Sequence, residues 1–193
     1  MKNIIIVGGG GHAKVVISVI KKLQNYNIIG YTDIKDNGKL LGVPFIGVDE
    51  IVFSHSKNTL LALGIGQIDN IEFRKKIVIK FIEKGYKFET LISPDSTINE
   101  NVEVGVGSVI FDGTIVQSDS LIGEYCILNT KTSLDHDCEI GDFVHIAPGV
   151  TVCGDVKIGD DTFIGAGSTI IHGICINKCN FIKAHNLVKA NII

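Results

Sequence analysis

From Ile92 to Val188 every sixth residue is Ile, Leu or Val, a run of seventeen hexad starts without a break. A period of six fits neither the 3.6-residue turn of a helix nor the alternation of an ordinary strand, and it marks a parallel β-helix of stacked short strands. Four places after each start a smaller residue recurs, from Ser96 and Val102 through Cys126, Thr132 and Cys138 to Thr162 and Ser168, and this position is also expected to face inward. Cys126 and Cys138 are then packing residues. Gly105, Gly123, Gly141, Gly159 and Gly165 each follow a hexad start directly, where the turn is expected to need a permissive backbone. Three hexads close one triangular coil, so residues 92–193 should form roughly five to six coils about 4.8 Å apart, each burying its core only against its neighbours. The pattern weakens at the end, where Ile174, Asn180, Asn186 and Ile192 stand in the small-residue place.

Residues 1–91 follow a different rule, with short apolar runs alternating with helical periodicity. Asn3 to Val7 reads as a buried strand. Val15, Val16, Val19, Ile20 and Leu23 then share one helical face, and Lys21-Lys22 suit the helix C-terminus. Residues 27–32 predict a second strand ending near Asp33. After a loop through Asp36-Asn37-Gly38 and Pro44, Thr59 to Leu63 predicts a third. A second helix is expected to start with Asp69 as N-cap, carry Ile71, Ile77, Val78, Phe81 and Ile82, and stop at Lys84-Gly85. Alternating strands and helices predict a small Rossmann-like parallel α/β domain over 1–91, followed by the β-helix over 92–193.

Composition narrows the possible functions. With 45% hydrophobic and 20% charged residues the chain is globular, and a net charge of −3 without a Lys/Arg cluster argues against a nucleic-acid partner. The apolar start is broken after Val7 by glycines, too early for a signal or membrane segment, so no membrane association and a cytoplasmic location are expected. Five cysteines without a CxxC pair suggest neither a disulfide framework nor a zinc knuckle.

Two places carry candidate chemistry. Within the hexads, Ile127-Leu128-Asn129-Thr130, Leu134-Asp135-His136-Asp137-Cys138 and Gly141-Asp142-Phe143-Val144-His145 depart from the bland repeat and set an imidazole between two carboxylates on an outward corner. Acyl transfer from a thioester needs a base for the attacking amine or hydroxyl, and histidine titrates near neutrality. By hexad count His136, Gly154 and His172 share one corner of successive coils, with Gly154 about 5 Å from His136. A backbone N–H there is placed to stabilise a tetrahedral oxyanion. The histidines lack the three-imidazole spacing of a β-helical zinc site, so no metal is expected. Direct amine attack needs no nucleophilic side chain, although Cys153 would be available for an acyl intermediate. At the other end, Gly8-Gly9-Gly10-Gly11-His12-Ala13 satisfies G-x-G-x-x-A between a strand and a helix, with Asp33 closing the next strand. By motif this is a dinucleotide site. About 90 residues are few for a nicotinamide-binding fold, however, and the same amides can hold any phosphate.

Repeats such as Ile140-Gly141-Asp142-Phe143-Val144-His145 and Ile164-Gly165-Ala166-Gly167-Ser168-Thr169 resemble those of the hexapeptide-repeat acyltransferases, which implies a left-handed β-helix. With the glycine-rich start, the Arg74-Lys75-Lys76 helix and the Ile127-to-Thr130 and His136 segments, the chain resembles the bacillosamine-type sugar-nucleotide N-acetyltransferases, grouped with sialic acid O-acetyltransferases. The resemblance implies His136 as general base, tuned by Asp137 ahead of Asp135. It implies acetyl-CoA as co-substrate, contacted by His145, Gly154, Gly165 and Ala166, and Asn129 near the reacting group of the sugar. It implies a nucleotide-linked amino sugar lined by Gly10, Gly11 and His12, with Asp33 at the nucleoside and Gly64 closing the pocket. Homotrimers with active sites between neighbouring β-helices are implied as well. This chain differs from the family in three places. It carries Asp137 where Glu is usual, Asp33-Ile34 where two acids often adjoin, and Asn191-Ile192-Ile193 where a longer tail usually walls the CoA site. The expected activity is acetylation of the 4-amino group of a UDP-, dTDP- or GDP-linked sugar. O-acetylation of sialic acid, a non-catalytic nucleotide-sugar-binding β-helix and a nicotinamide sensor stand as alternatives.

Overall fold

In the computed structural model, which describes residues 1–67 and 71–193, the apolar run at the start of the chain forms β1 (Lys2–Val7). Its Ile4, Ile5, Ile6 and Val7 are wholly buried, as a strand covered on both faces requires. It lies inside a four-stranded, all-parallel sheet with β2 (Tyr26–Thr32), β3 (Phe45–Gly47) and β4 (Leu60–Leu63), in the order β3-β2-β1-β4. Thr59 itself precedes β4, which is the fourth strand and not the third. The strand not anticipated, β3, has three residues directly after Pro44 and is followed by a 3₁₀ helix over Asp49–Ser54. Three residues carry no measurable period, so patterning could not reveal it.

Helix α1 (Gly11–Leu23) buries Ala13, Val16, Ile17, Val19 and Ile20. The buried face is therefore rotated from the expected one, for Val15 is exposed and Ala13 and Ile17 take its place. Its last turn holds Lys21 and Lys22, and Gln24 caps it in the left-handed conformation. Helix α2 (Ile71–Glu83) buries Val78 and Phe81, whereas Ile82 is half-exposed and Arg74 is fully buried, its Nε donating to the Ile65 carbonyl at 3.1 Å. The expected N-cap, Asp69, lies outside the described residues. No helix among the described residues is long and apolar enough to cross a membrane.

The chain divides into two compact units, Met1–Leu91 and Ile92–Ile193. The second is a left-handed parallel β-helix whose two-residue strands form three parallel sheets. Strand partners are one coil apart, as in Leu128↔Ile146 and Leu134↔Val152. The hexad starts from Ile110 to Val188 form one continuous buried core, each fully buried aliphatic contributing about 1.5–3 kcal/mol. The small position faces inward too, and its hydroxyls are satisfied across coils. Ser108 Oγ donates to the Gly123 carbonyl, Thr114 Oγ1 to that of Asn129, and Ser120 Oγ to that of Asp135. Cys126 and Cys138 are buried, and burial pushes the Cys138 thiol up to about 11. Strand spacing persists through Leu187–Val188 in spite of Asn180 and Asn186, and Ile192 pairs with Ile176.

The glycines after the hexad starts serve a purpose other than the expected one. None of them has positive φ. A Cβ on Gly123 would lie 2.5 Å from Asp142 Oδ1 and 2.6 Å from the Gly141 carbonyl carbon, and one on Gly141 would lie 2.3 Å from Asp160 Oδ1. They are glycine because the next coil passes too close. The Asp side chains use that room to accept from the coil before, Asp142 from the Glu124 N–H at 2.7 Å and Asp160 from the Asp142 N–H at 2.8 Å. Left-handed torsions fall two residues further along, mostly on non-glycines: Asp119, Tyr125, Lys131, Asp137, Phe143, Asp155 and Asp161 have φ between 55° and 64°. Each costs about 1–2 kcal/mol relative to a right-handed residue. A cross-coil hydrogen bond offsets that cost, as when Asp137 N–H donates to the Ser118 carbonyl and Asp155 N–H to that of His136.

Candidate active site

At the corner after Leu134 the chain turns outward through Asp135, His136 and Asp137, all exposed. Asp135 Oδ1 accepts the backbone N–H of His136 at 2.9 Å and so holds the turn. Because Asp137 takes the left-handed conformation (φ 59°), its carboxylate swings back to the ring, and His136 Nδ1 lies 2.6 Å from Asp137 Oδ2. The shorter side chain reaches its partner, and of the two flanking acids Asp137 is the one that bonds the imidazole. That hydrogen bond raises the His136 pKa above its ordinary 6.5, with the charges of Asp135, Asp137 and Asp155 adding to it. With Nδ1 donating to Asp137, Nε2 is left as the basic nitrogen.

Gly154 lies one coil on, against the face of this ring. A Cβ there would stand 2.7 Å from His136 Cε1 and 2.8 Å from Nε2. Gly154 is buried, and its N–H meets no acceptor among the described residues. The Gly154 backbone thus comes up against the side of the ring that carries the basic nitrogen. Across this glycine the ring of His172 comes to 6.5 Å from that of His136, centroid to centroid. Asp119, Leu121, His136, Asp137, Glu139, Asp155 and His172 line one depression of about 460 Å³. Leu121 and Glu139 also border an open groove of about 660 Å³ running over Lys157, Gly159, Cys175 and Lys178.

The other candidates of the β-helix are elsewhere in the chain. Asn129 and His145 belong to a different sheet, where Asn129 Nδ2 and His145 Nε2 are 3.2 Å apart and His145 meets the Phe163 ring edge to face at 5.1 Å. His145 is buried there. Gly165 and Ala166 follow the Phe163–Ile164 strand of that same sheet. One chain therefore brings His136, Asp137, Gly154 and His172 together, and separately Asn129 with His145.

In the first unit, Gly10 forms the N-cap of α1 without any side-chain cap, and a Cβ on Gly10 or Gly11 would meet nothing within 4 Å. Packing does not require glycine at either place, and the helix N-terminus lies open. By contrast Gly8 and Gly9 are sterically required, for Cβ atoms there would meet Ile65 and the Tyr31 ring. Asp33 Oδ2 accepts the Gly9 N–H at 2.8 Å and Oδ1 the Ile34 N–H at 2.7 Å, so the carboxylate braces the turn. Gly10, Gly11, Asp33 and Asn37 share a depression of about 450 Å³ with Lys14 and Lys35, two cations that motif reading did not single out. His12 lies beside Gly66. Gly64 is buried where a Cβ would strike Ile6, the Gly8 carbonyl and Ala13, which makes it a packing glycine under the turn.

Among the described residues no three His, Cys, Asp or Glu side chains form a metal-ligating group.

Residues 3–81 match the family described as PglD N-terminal domain. The acetyltransferase domain of PglB from Neisseria gonorrhoeae, solved in complex with acetyl coenzyme A, is 30% identical, with a TM-score of 0.93 over 99% of this chain and 92% of that one. PerB from Caulobacter crescentus, solved with CoA and GDP-perosamine, is 29% identical, with a TM-score of 0.91 over 98% and 90% of the two chains. The bifunctional protein GlmU of Clostridium tetani is 30% identical over 121 residues, which is 58% of this chain. The chain spans about a quarter of the length of that curated relative, 25%. An α/β unit with an open glycine turn, followed by a left-handed hexapeptide helix, matches the PglB and PerB structures over nearly its whole length, and the chain belongs to the hexapeptide-repeat sugar N-acetyltransferase family.

Proposed function

We propose that the protein transfers the acetyl group of acetyl-CoA to the 4-amino group of a nucleotide-linked amino-deoxy sugar, with His136 as general base. The observation that carries this reading is the His136 ring, fixed at Nδ1 by Asp137 at 2.6 Å, with the Gly154 backbone close against its Nε2 side. The amine nitrogen attacks the thioester carbonyl carbon, forming the C–N bond while its proton passes to His136 Nε2. The carbonyl oxygen becomes an oxyanion held by the Gly154 N–H, and collapse breaks the C–S bond and expels the thiolate. The raised pKa makes the ring a stronger base than free imidazole.

The open N-terminus of α1, with Lys14 and Lys35 beside it, suits the diphosphate of the nucleotide sugar, in keeping with substrate contacts at Gly10, Gly11 and His12 and with Asp33 near the nucleoside. Similarity to PerB, whose structure holds GDP-perosamine, supports an amino-sugar acceptor. Asn129, His145, Gly165 and Ala166 stand on another sheet from His136 within one chain. A homotrimer would let a neighbouring copy supply them, Asn129 toward the sugar and the others toward acetyl-CoA.

The test is incubation with acetyl-CoA and a panel of UDP-, dTDP- and GDP-linked 4-amino sugars, with sialic acid alongside, read by mass spectrometry. Acetylation of one nucleotide-linked amine is expected. Acetylation of sialic acid alone would move the assignment to O-acetyl transfer, and binding without turnover would reduce the protein to a nucleotide-sugar carrier.

A further inference from the structure

We propose that His172 is a second proton-transfer residue of the same acyl transfer, protonating the departing thiolate while His136 deprotonates the amine. The inference rests on the acetyltransfer reading above. In sequence the two histidines are thirty-six residues apart, two coils, as the successive eighteen-residue steps to Gly154 require. Their rings nevertheless stand 6.5 Å apart, and the intervening corner residue is a glycine against which the His136 ring lies. That spacing is too long for a direct hydrogen bond between rings and suits one interposed atom or water.

The arrangement answers a difficulty in the chemistry. Nδ1 of His136 is engaged by Asp137, so a single nitrogen, Nε2, would have to collect the amine proton and then deliver it to a sulfur on the other side of the same carbonyl carbon. A second imidazole across Gly154 removes that requirement. The amine proton goes to His136 Nε2, the electrons of the C–S bond go to sulfur, and His172 gives its proton to that sulfur. The proton on His136 then returns to His172 through bridging water, so that overall one proton moves from nitrogen to thiol. The charged groups facing His172 in the shared depression are Asp119, Asp137, Glu139 and Asp155, together with His136. His172 is itself exposed, so its replacement leaves the core untouched.

The test is the pH profile of wild type and His172→Gln, with acetyl-CoA and the acceptor found active. With His136 needed unprotonated and His172 protonated, wild-type kcat should be bell-shaped. His172→Gln should lose the alkaline limb, keep the acid limb, lower kcat about 100-fold and leave the KM for acetyl-CoA unchanged. An unchanged bell and rate in His172→Gln would overturn the proposal while leaving acetyl transfer standing. A raised KM with unchanged kcat would make His172 a binding residue and overturn it equally. A wild-type protein inactive on every acceptor would overturn both readings together.

Discussion

Gly154 stands directly against the His136 ring, so close that its missing side chain would lie 2.7 Å from Cε1. Alanine at this place must push the imidazole out of its position. Gly154→Ala is expected to lower kcat about 100-fold, the effect of an ångström-scale misplacement, with little change in the thermal midpoint. Steady-state kinetics with a thermal melt on the same preparation checks both halves.

The Asp137 carboxylate holds His136 above its ordinary 6.5, and base catalysis needs the unprotonated ring. On the acid side of its profile the rate should therefore rise with pH through an inflection above 6.5. In Asp137→Asn the main cause of the upward shift is gone, so this acid-side inflection should move to lower pH while the maximal rate falls. Asp135→Asn removes only a smaller charge effect and keeps a side-chain oxygen for the His136 N–H, so it should move the inflection less. A pH–rate profile of the three proteins gives the order.

The Ile-Gly-Asp repeats predict two stability effects of different size. Asp142→Ala deletes the acceptor for the Glu124 N–H and should cost about 1 kcal/mol. Gly141→Ala forces a Cβ to within 2.7 Å of the Asp160 backbone nitrogen and should cost about 3 kcal/mol or fail to fold. Urea denaturation of both variants gives the comparison.

Thiol accessibility should follow the coil geometry. Cys175 and Cys179 are exposed, whereas Cys126 and Cys138 are buried, with the Cys138 thiol pushed up to about 11. A colorimetric disulfide reagent should titrate Cys175 and Cys179 rapidly in the native protein, and Cys126 and Cys138 only after unfolding.

Much of the β-helix is legible in the sequence because its core repeats in a strict register, Ile, Leu or Val at the start and a small residue four places on. The reason for the glycines is not legible. Gly123 and Gly141 look like turn glycines, yet left-handed turns are taken by Tyr125, Lys131 and Phe143, whose residue types do not announce it. What excludes a side chain at Gly141 is Asp160 in the next coil, a contact that exists only once the coils are stacked. In the first unit, Val15 fits the expected helical face as well as Ile17 does, and only packing chooses between them. The corner holding His136, Gly154 and His172 follows from counting, but the closeness of the two rings does not. It depends on the side-chain conformations that the two histidines adopt. Asn129 and His145 carry no mark in sequence of the bond that joins them.

The decisive measurement is turnover by His136→Asn against wild type, with acetyl-CoA and a nucleotide-linked 4-amino sugar, followed as release of free CoA thiol together with formation of the acetamido product. Asn fills much of the imidazole's space and cannot take the proton. Wild type should form product and thiol in equal amounts, and the variant should lose at least about 100-fold in kcat while still binding acetyl-CoA. A His136→Asn protein that turns over at the wild-type rate would contradict the assignment of His136 as the base.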